Sequence, residues 1–395
     1  MTTLKFNHLV YLLTIFSLSV FFYVLFDNFD KGLWFDEVFS LRVTDPKNTI
    51  GQALRVHSID ASPFTYYFFL RVWRILFGSE FLTAQYFNVF VFVVGGLLAG
   101  AVWPREKLQE YLVFLSFNLT SVAIIYYILE IRTYGLICVI AILIAACLKR
   151  LVYQVETIGE SSPSRILYGT IVAAAGFMII LHAWGAFFGA GILVGLYYYD
   201  RYYARRTFGF WAFAISGLIV SMLFFIAFTS ILGVYESRLS AASIGFDARV
   251  INDPQVLAVG FWQLLYVTNR STLLGVTVFL AAIYLIVTRY SSLRSSIIVY
   301  VTPVFFVFVV VIAAHLLVDR FIYKSYFNVI FFPFIFIFLT NVAFSISIPM
   351  VRALVIALVI VANLGSIPFN DQFAKQPYRM EVIDGVTTYM SANDR

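Results

Sequence analysis

Long apolar runs recur along the whole chain and restrict its fold more than any other feature. Each run is close to the length of about 20 residues that a helix needs to cross the hydrocarbon core of a bilayer. The composition agrees, with 62% hydrophobic residues, 12% charged residues and a mean hydropathy of +0.90. The runs are residues 9–26, 84–103, 111–129, 134–148, 166–181, 184–199, 208–232, 272–287, 297–318, 327–344 and 353–367. The sequence therefore predicts an all-α integral membrane protein with about eleven transmembrane helices.

The charges between these runs predict the topology. Basic residues fall in alternate loops, and cytoplasmic loops of membrane proteins carry an excess of Lys and Arg. They are Arg105, Lys107, Lys149, Arg150, Arg201, Arg205, Arg206, Arg289 and Arg294. With an odd number of spans, the amino terminus is then cytoplasmic and the carboxyl terminus lies outside the inner (plasma) membrane. The net charge of +6 is divided among short clusters, so we expect membrane lipids and no nucleic acid as partners.

The first outer loop, residues 27–83, is too long to be a simple connector and is predicted to be structured. Residues 49–56 alternate apolar and polar side chains at helical spacing, which predicts a short helix in the membrane interface. Residues 64–77 follow Pro63 and precede Gly78, which predicts a second helix too short to span comfortably. Its two arginines, Arg71 and Arg74, are three residues apart and are predicted to share one side of that helix. Residues 1–367 form one transmembrane domain, and residues 368–395 form a short outer tail.

Small residues four positions apart predict sites where neighbouring helices approach closely. The pairs are Gly96 with Gly100, Gly185 with Gly189, and Gly191 with Gly195. The sequence has no glycine-rich phosphate loop, paired CxxC, HExxH or nucleophile elbow, so we expect no nucleotide-driven chemistry.

Two adjacent acids, Asp36 and Glu37, follow the first span and are the leading candidates for chemistry. A carboxylate is costly at the bilayer centre, so the pair should lie at or just outside the membrane face. Side chains of neighbouring residues diverge, so one acid can activate a hydroxyl while the other orients a loop or a ligand. Two solvated loop acids are the alternative. His57 and Asp60 could form an acceptor or metal rim with Asp36, or act only as caps and loop contacts.

Further candidates lie at the outer ends of later spans. Arg320 and Lys324 could hold a lipid phosphate, because Arg offers a planar fork and Lys a point charge; anchoring to anionic head groups is the alternative. His182 could donate to a phosphate or lie in an aromatic belt. A supporting group could hold a ligand or form a structural ion pair, and its members are Glu130, Arg132 and Tyr134.

The order of these motifs resembles that of the GT-C glycosyltransferases, especially the branch with protein O-mannosyltransferases and the lipid A aminoarabinose transferase. The motifs are Trp34-Phe35-Asp36-Glu37, Asp60-Ala61-Ser62-Pro63-Phe64-Thr65-Tyr66-Tyr67, Phe77-Gly78-Ser79-Glu80, Glu130-Ile131-Arg132-Thr133-Tyr134 and Arg320-Phe321-Ile322-Tyr323. Two features depart from the family: the proline helix usually opens with a double proline, where this chain has Ser62-Pro63, and many members end in a sizeable outer domain.

The resemblance implies a GT-C-like catalytic domain over residues 1–367. It would transfer a sugar, with inversion, from a polyprenyl-phosphate donor to a glycan, lipid or protein acceptor at the extracytoplasmic face. Asp36 would be the general base, and Glu37 and Asp60 would orient the acceptor or a metal; a divalent metal is an open alternative. The donor phosphate would be bound by His182, Arg320, Tyr323 and Lys324.

The rival interpretation is a polytopic transporter or lipid-linked-sugar flippase without bond chemistry. Such a protein would place ionisable residues or broken helices at mid-membrane. The charges gather near the ends of the apolar runs, so we expect neither ionisable residues nor broken helices at mid-membrane.

Overall fold

The computed structural model describes residues 3–29, 33, 35–57, 63–158, 165–204, 297–307 and 330–365, with scattered positions from 211 to 309. Within these residues every regular element is helical. The main helices are α1 (Thr3–Asn28), α2 (Phe35–Val43), α3 (Ile50–His57), α4 (Thr65–Phe77), α5 (Phe81–Val102), α6 (Leu108–Thr120), α7 (Val122–Leu129), α8 (Tyr134–Tyr153), α9 (Arg165–Leu181), α10 (Ala183–Tyr199), α11 (Phe332–Ser345) and α12 (Pro349–Gly365). Shorter turns of 3-10 or π type are Arg105–Lys107, Gln154–Ile158, Asp200–Ala204 and Ile297–Val301.

The helices indicate a multi-pass membrane protein. Among the described residues, three are long and apolar enough to cross a bilayer, namely Phe6–Asn28, Phe81–Val102 and Tyr134–Ile158. Arg105–Thr120 and Val122–Leu129 together make a fourth, bent candidate. Shorter apolar helices are Arg165–Leu181, Ile298–Val307, Phe332–Ser345 and Pro349–Leu364. Most residues of the predicted spans 208–232 and 272–287 lie outside the described residues.

The two helices predicted in the first outer loop are present as α3 and α4. α3 begins after Thr49 because a reciprocal capping box forms there: Gln52 N donates to Thr49 Oγ1 at 3.2 Å, and Thr49 N donates to Gln52 Oε1 at 2.7 Å. α4 ends at Phe77, and Gly78 follows with a φ of 122°, a backbone angle that favours glycine.

α4 has two different sides. Its buried residues are Tyr66, Tyr67, Leu70, Arg71 and Arg74. Its exposed apolar residues are Phe68, Phe69, Val72, Ile75, Leu76 and Phe77. A helix of this length with one exposed apolar side is suited to lie in a membrane interface.

The predicted span 111–129 is broken at Ser121, where α6 and α7 meet at 64°. Ser121 adopts extended backbone angles, and its N–H turns to the Asn118 carbonyl at 3.4 Å. This leaves the Phe117 carbonyl without its usual helical donor. The Asn363 amide of α12 donates to that carbonyl at 3.3 Å and to Thr120 Oγ1 at 3.2 Å. The expectation that no helix is broken is therefore wrong. The break is tolerated because a side chain of another helix supplies the missing donor.

Glycine pairs bring helices together as predicted for the later spans. A Cβ on Gly185 would lie 2.0 Å from the Met178 carbonyl oxygen of α9, and one on Gly189 would lie 3.2 Å from the Ala175 carbonyl oxygen. A Cβ on Gly195 would lie 2.9 Å from the Ile298 carbonyl oxygen. Only the absence of a side chain allows such close backbone contact.

A buried ion pair joins α6 to α8 at the end of the bundle away from α2. Lys149 Nζ lies 2.5 Å from Glu110 Oε2, and Lys107 Nζ lies 3.1 Å from Glu110 Oε1. Lys149 also donates to Asn341 of α11. Lys149 and Arg150 were predicted to lie in a loop, and this is wrong because α8 continues through both residues.

Candidate active site

Asp36 and Glu37 lie in the first turn of α2, where the helix dipole favours negative charge. Their side chains diverge as predicted. The Asp36 side chain is 67% exposed, whereas Glu37 is only 1% exposed. The two acids are therefore in different environments and suit different tasks.

Glu37 is bonded to the turn that links α7 to α8, here called the 130–133 turn. Its Oε1 accepts a hydrogen bond from the buried backbone N–H of Ile131 at 3.0 Å. A buried N–H needs an acceptor, and an ionised carboxylate is a strong one. Glu37 thus orients a loop, which is one of the two roles anticipated for the acids.

Arg132 lies between the exposed acid and α4. Its Nη2 is 3.8 Å from Asp36 Oδ2, and its Nη1 donates to the Tyr67 hydroxyl at 2.7 Å. The Arg132 residue is 9% exposed. The contact with Asp36 is longer than a hydrogen bond, so Arg132 places a positive charge beside the Asp36 carboxylate while Tyr67 fixes the guanidinium.

Asn88 of α5 also bonds to the 130–133 turn. Its Nδ2 donates to the Arg132 carbonyl at 3.2 Å and to the Glu130 carbonyl, and its Oδ1 accepts from the Tyr66 hydroxyl at 3.5 Å. Burial raises the pKa of the Tyr66 phenol well above its ordinary value, so Tyr66 stays neutral and can donate. Asn88 was not among the predicted site residues. The available signal was a pair of amides, Gln85 and Asn88, in the otherwise apolar helix Phe81–Val102, since buried amides in such helices need partners.

The remaining supporting residues lie around the 130–133 turn. The Tyr126 hydroxyl donates to Glu130 Oε1 at 3.2 Å. The Tyr134 ring, at the start of α8, lies 5.8 Å from the His182 ring by centroids. His182 is 9% exposed in the α9 to α10 connection, so the structure brings it to this end of the bundle.

His57 lies in the cluster but is buried. It is the last residue of α3 and is 1% exposed. Its ring is 5.2 Å from the rings of both Phe64 and Tyr67, and Tyr67 in turn contacts Arg132. Its position places it behind the Arg132 contact and away from open solvent.

Arg71 and Arg74 share one side of α4, as their spacing predicts, and they bind backbone carbonyls. Arg71 donates to the carbonyls of Asp45 and Asn48, and Arg74 donates to the Leu41 carbonyl at 2.5 Å. Burial lowers the pKa of Arg74, and the nearby Asp45 charge opposes that shift. These arginines fix the connection from α2 to α3, and α2 carries both acids.

Four predicted site residues lie outside the described residues, and they are Asp60, Arg320, Tyr323 and Lys324. Among the residues that the structure does describe, no three His, Cys, Asp or Glu side chains are grouped closely enough to hold a metal ion.

The chain matches no protein-family model, no curated protein and no solved structure. The chemistry of the site must therefore be argued from its own geometry.

Proposed function

We propose that this chain is a membrane glycosyltransferase that transfers a sugar from a polyprenyl-phosphate donor to a glycan, lipid or protein acceptor at the extracytoplasmic face. The observation that carries the proposal is the contrast at α2. Asp36 presents an open carboxylate, whereas its neighbours Glu37 and Arg132 are buried and bonded. A general base must be accessible to the acceptor hydroxyl, and its bonded neighbours fix the helix turn that carries it and the positive charge beside it.

The reaction assigned to Asp36 needs no covalent enzyme intermediate. The carboxylate takes the proton of an acceptor hydroxyl, and the hydroxyl oxygen attacks the anomeric carbon from the side opposite the phosphate. The bond between that carbon and the phosphate oxygen breaks, and polyprenyl phosphate leaves with the electron pair. The sugar is transferred with inversion, and the departing phosphate is already a good leaving group.

The platform around Asp36 supports such a role. Glu37 and Asn88 hold the 130–133 turn from two sides, and that turn carries Arg132. We therefore assign Glu37 and Asn88 as positioning residues. His182, Arg320, Tyr323 and Lys324 are the proposed partners of the donor phosphate, whose charge grows as the bond breaks.

The exposed side of α4 supports access from the membrane. Its apolar residues face away from the cluster, and Tyr66 and Tyr67 on the opposite side contact Asn88 and Arg132. With α4 in the outer leaflet, a lipid-linked donor at head-group level would be close to Asp36.

A second candidate function is movement of a lipid-linked sugar without transfer. The observation in its favour is the helix broken at Ser121, because broken helices are common where transporters bind substrates. We favour the transferase because Ser121 is buried and its backbone break is satisfied by Asn363, as a structural bend requires.

The test compares cells that lack the protein with cells that carry it unmodified, as Asp36→Asn, or as Asp27→Asn. Asp27 is an exposed acid at the end of α1 and serves as the charge-matched control. Mass spectrometry of surface glycans and lipid-linked sugars should show loss of one sugar from an acceptor and accumulation of its lipid-linked form without the protein. Asp36→Asn should reduce transfer by about 10²–10⁴-fold, and Asp27→Asn should restore it.

Two results would contradict the proposal. Full transfer by Asp36→Asn would remove Asp36 as the base. Movement of a lipid-linked sugar across vesicles by the purified chain, with no acceptor ever modified, would establish the second candidate instead.

A further inference from the structure

A separate cleft opens at the end of the bundle opposite Asp36. It has a volume of about 590 Å³ and lies between the end of α5, the last turns of α8 and the first turns of α9. Its lining residues include Arg105, Glu106, Arg150, Gln154, Ile166 and Leu167. The volume is within the range of about 300–1,000 Å³ that small-ligand sites occupy.

Two arginines give the cleft its charge. Among the residues that the structure describes, neither the Arg105 nor the Arg150 side chain makes a hydrogen bond or an ion pair. The lining also contains one acid, Glu106. Lys107, only two residues from Arg105, is paired with Glu110. The two arginines and Glu106 therefore give the cleft one net positive charge.

Part of the cleft wall is apolar and continues onto the outside of the bundle. Ile166 is 82% exposed at its mouth. Ala101 and Val102 line it from α5, and one helical turn earlier Leu97 and Leu98 are 69% and 50% exposed. Residues four apart lie on the same side of a helix, so an apolar path runs from the cleft along α5.

We propose that this cleft binds the phosphate head group of an anionic phospholipid. Arg105 and Arg150 would contact the phosphate oxygens, because guanidinium groups match phosphate geometry with paired donors. An acyl chain would follow α5 past Leu97 and Leu98. Basic pockets between transmembrane helices are suited to anionic head groups. The site is distinct from the donor site at Asp36 and does not depend on the transferase assignment.

The test is native mass spectrometry of the purified full chain, titrated with phosphatidylglycerol and, separately, with phosphatidylcholine. The double variant Arg105→Gln/Arg150→Gln should bind phosphatidylglycerol about 25-fold more weakly, or about 5-fold for each arginine. Binding of phosphatidylcholine should change little. Arg150→Lys should retain part of the binding, since it keeps the charge but loses the fork.

The matched control is Arg165→Gln/Arg201→Gln. These arginines are exposed, and neither lines the cleft. The turn that contains Arg201 contacts the π turn after α8, so the control removes the same charge from the same end of the bundle. Equal losses in the two double variants would reassign the effect to general surface charge and overturn the proposal.

Two further outcomes would also overturn it. One is unchanged phosphatidylglycerol binding by the cleft variant, with its thermal unfolding unchanged. The other is displacement of the lipid by millimolar inorganic phosphate, which would identify the cleft as a site for a soluble anion.

Discussion

Asp36 and Glu37 are adjacent, yet their substitution should affect different properties of the protein. Glu37→Ala leaves the Ile131 N–H buried without its acceptor at 3.0 Å. An unsatisfied buried donor costs about 1–3 kcal/mol, so we expect unfolding to become easier by at least that amount. Glu37→Gln keeps an acceptor oxygen but loses the charge, and should cost roughly 1 kcal/mol.

Asp36→Asn should change the stability of the protein little and should reduce sugar transfer strongly. Its side chain is 67% exposed and its contact with Arg132 is 3.8 Å long, so the free energy of unfolding should change by less than about 1 kcal/mol. Thermal and denaturant unfolding of the purified variants in detergent gives the first measurement, and sugar transfer gives the second. Glu37→Gln should retain most transfer once its folded fraction is taken into account.

The result that would refute this reasoning is specific. If Asp36→Asn unfolds as easily as Glu37→Ala, the open carboxylate is part of the structural framework. If Glu37→Gln loses as much transfer as Asp36→Asn while staying folded, Glu37 takes part in the chemistry directly.

Three other predictions concern the fold. A reporter active only in the cytoplasm, fused after Arg395, should give no signal, and a strong signal would reverse the proposed topology. Gly185→Ala should destabilise the protein by about 1–3 kcal/mol because its Cβ meets helix backbone, whereas Gly169→Ala, which has no atom within 4 Å, should be neutral or slightly stabilising; equal unfolding temperatures would contradict this packing. Lys149→Met should cost about 3–5 kcal/mol, and adding Glu110→Gln should recover part of that loss; an additive double variant would show that the pair is not coupled.

The helices of the first outer loop were predictable because their signals are local. Pro63 and Gly78 delimit α4, and the pattern around Gln52 marks α3. The spacing of Arg71 and Arg74 also predicted a shared side of α4. Their partners could not be predicted, because the carbonyls they bind lie more than 20 residues away in the chain or across a turn.

The bend at Ser121 and the role of Asn88 were missed for a related reason. Residues 111–129 contain no proline or glycine, the usual signals of a helix break, and the polar residues Asn118, Thr120 and Ser121 near the bend were not interpreted as one. The break persists because Asn363, more than 240 residues later, donates to the freed carbonyl. Asn88 likewise acts through the 130–133 turn, a contact across 42 to 44 residues. Only the folded arrangement brings such partners together.

The bend also shortens the rise of the chain between the start of α6 and the 130–133 turn. With α6 along the membrane normal, its 13 residues rise about 20 Å, and the 8 residues of α7, tilted by 64°, add only about 5 Å. A straight helix of the same residues would rise about 33 Å, and the hydrocarbon core is about 30 Å thick. The bend therefore brings the 130–133 turn about 8 Å closer to the start of α6 than a straight helix would. Arg132 in that turn is 9% exposed. A largely buried charge is less screened by water than one on an open surface, so the Arg132 guanidinium would act on a bound sugar phosphate over a longer distance.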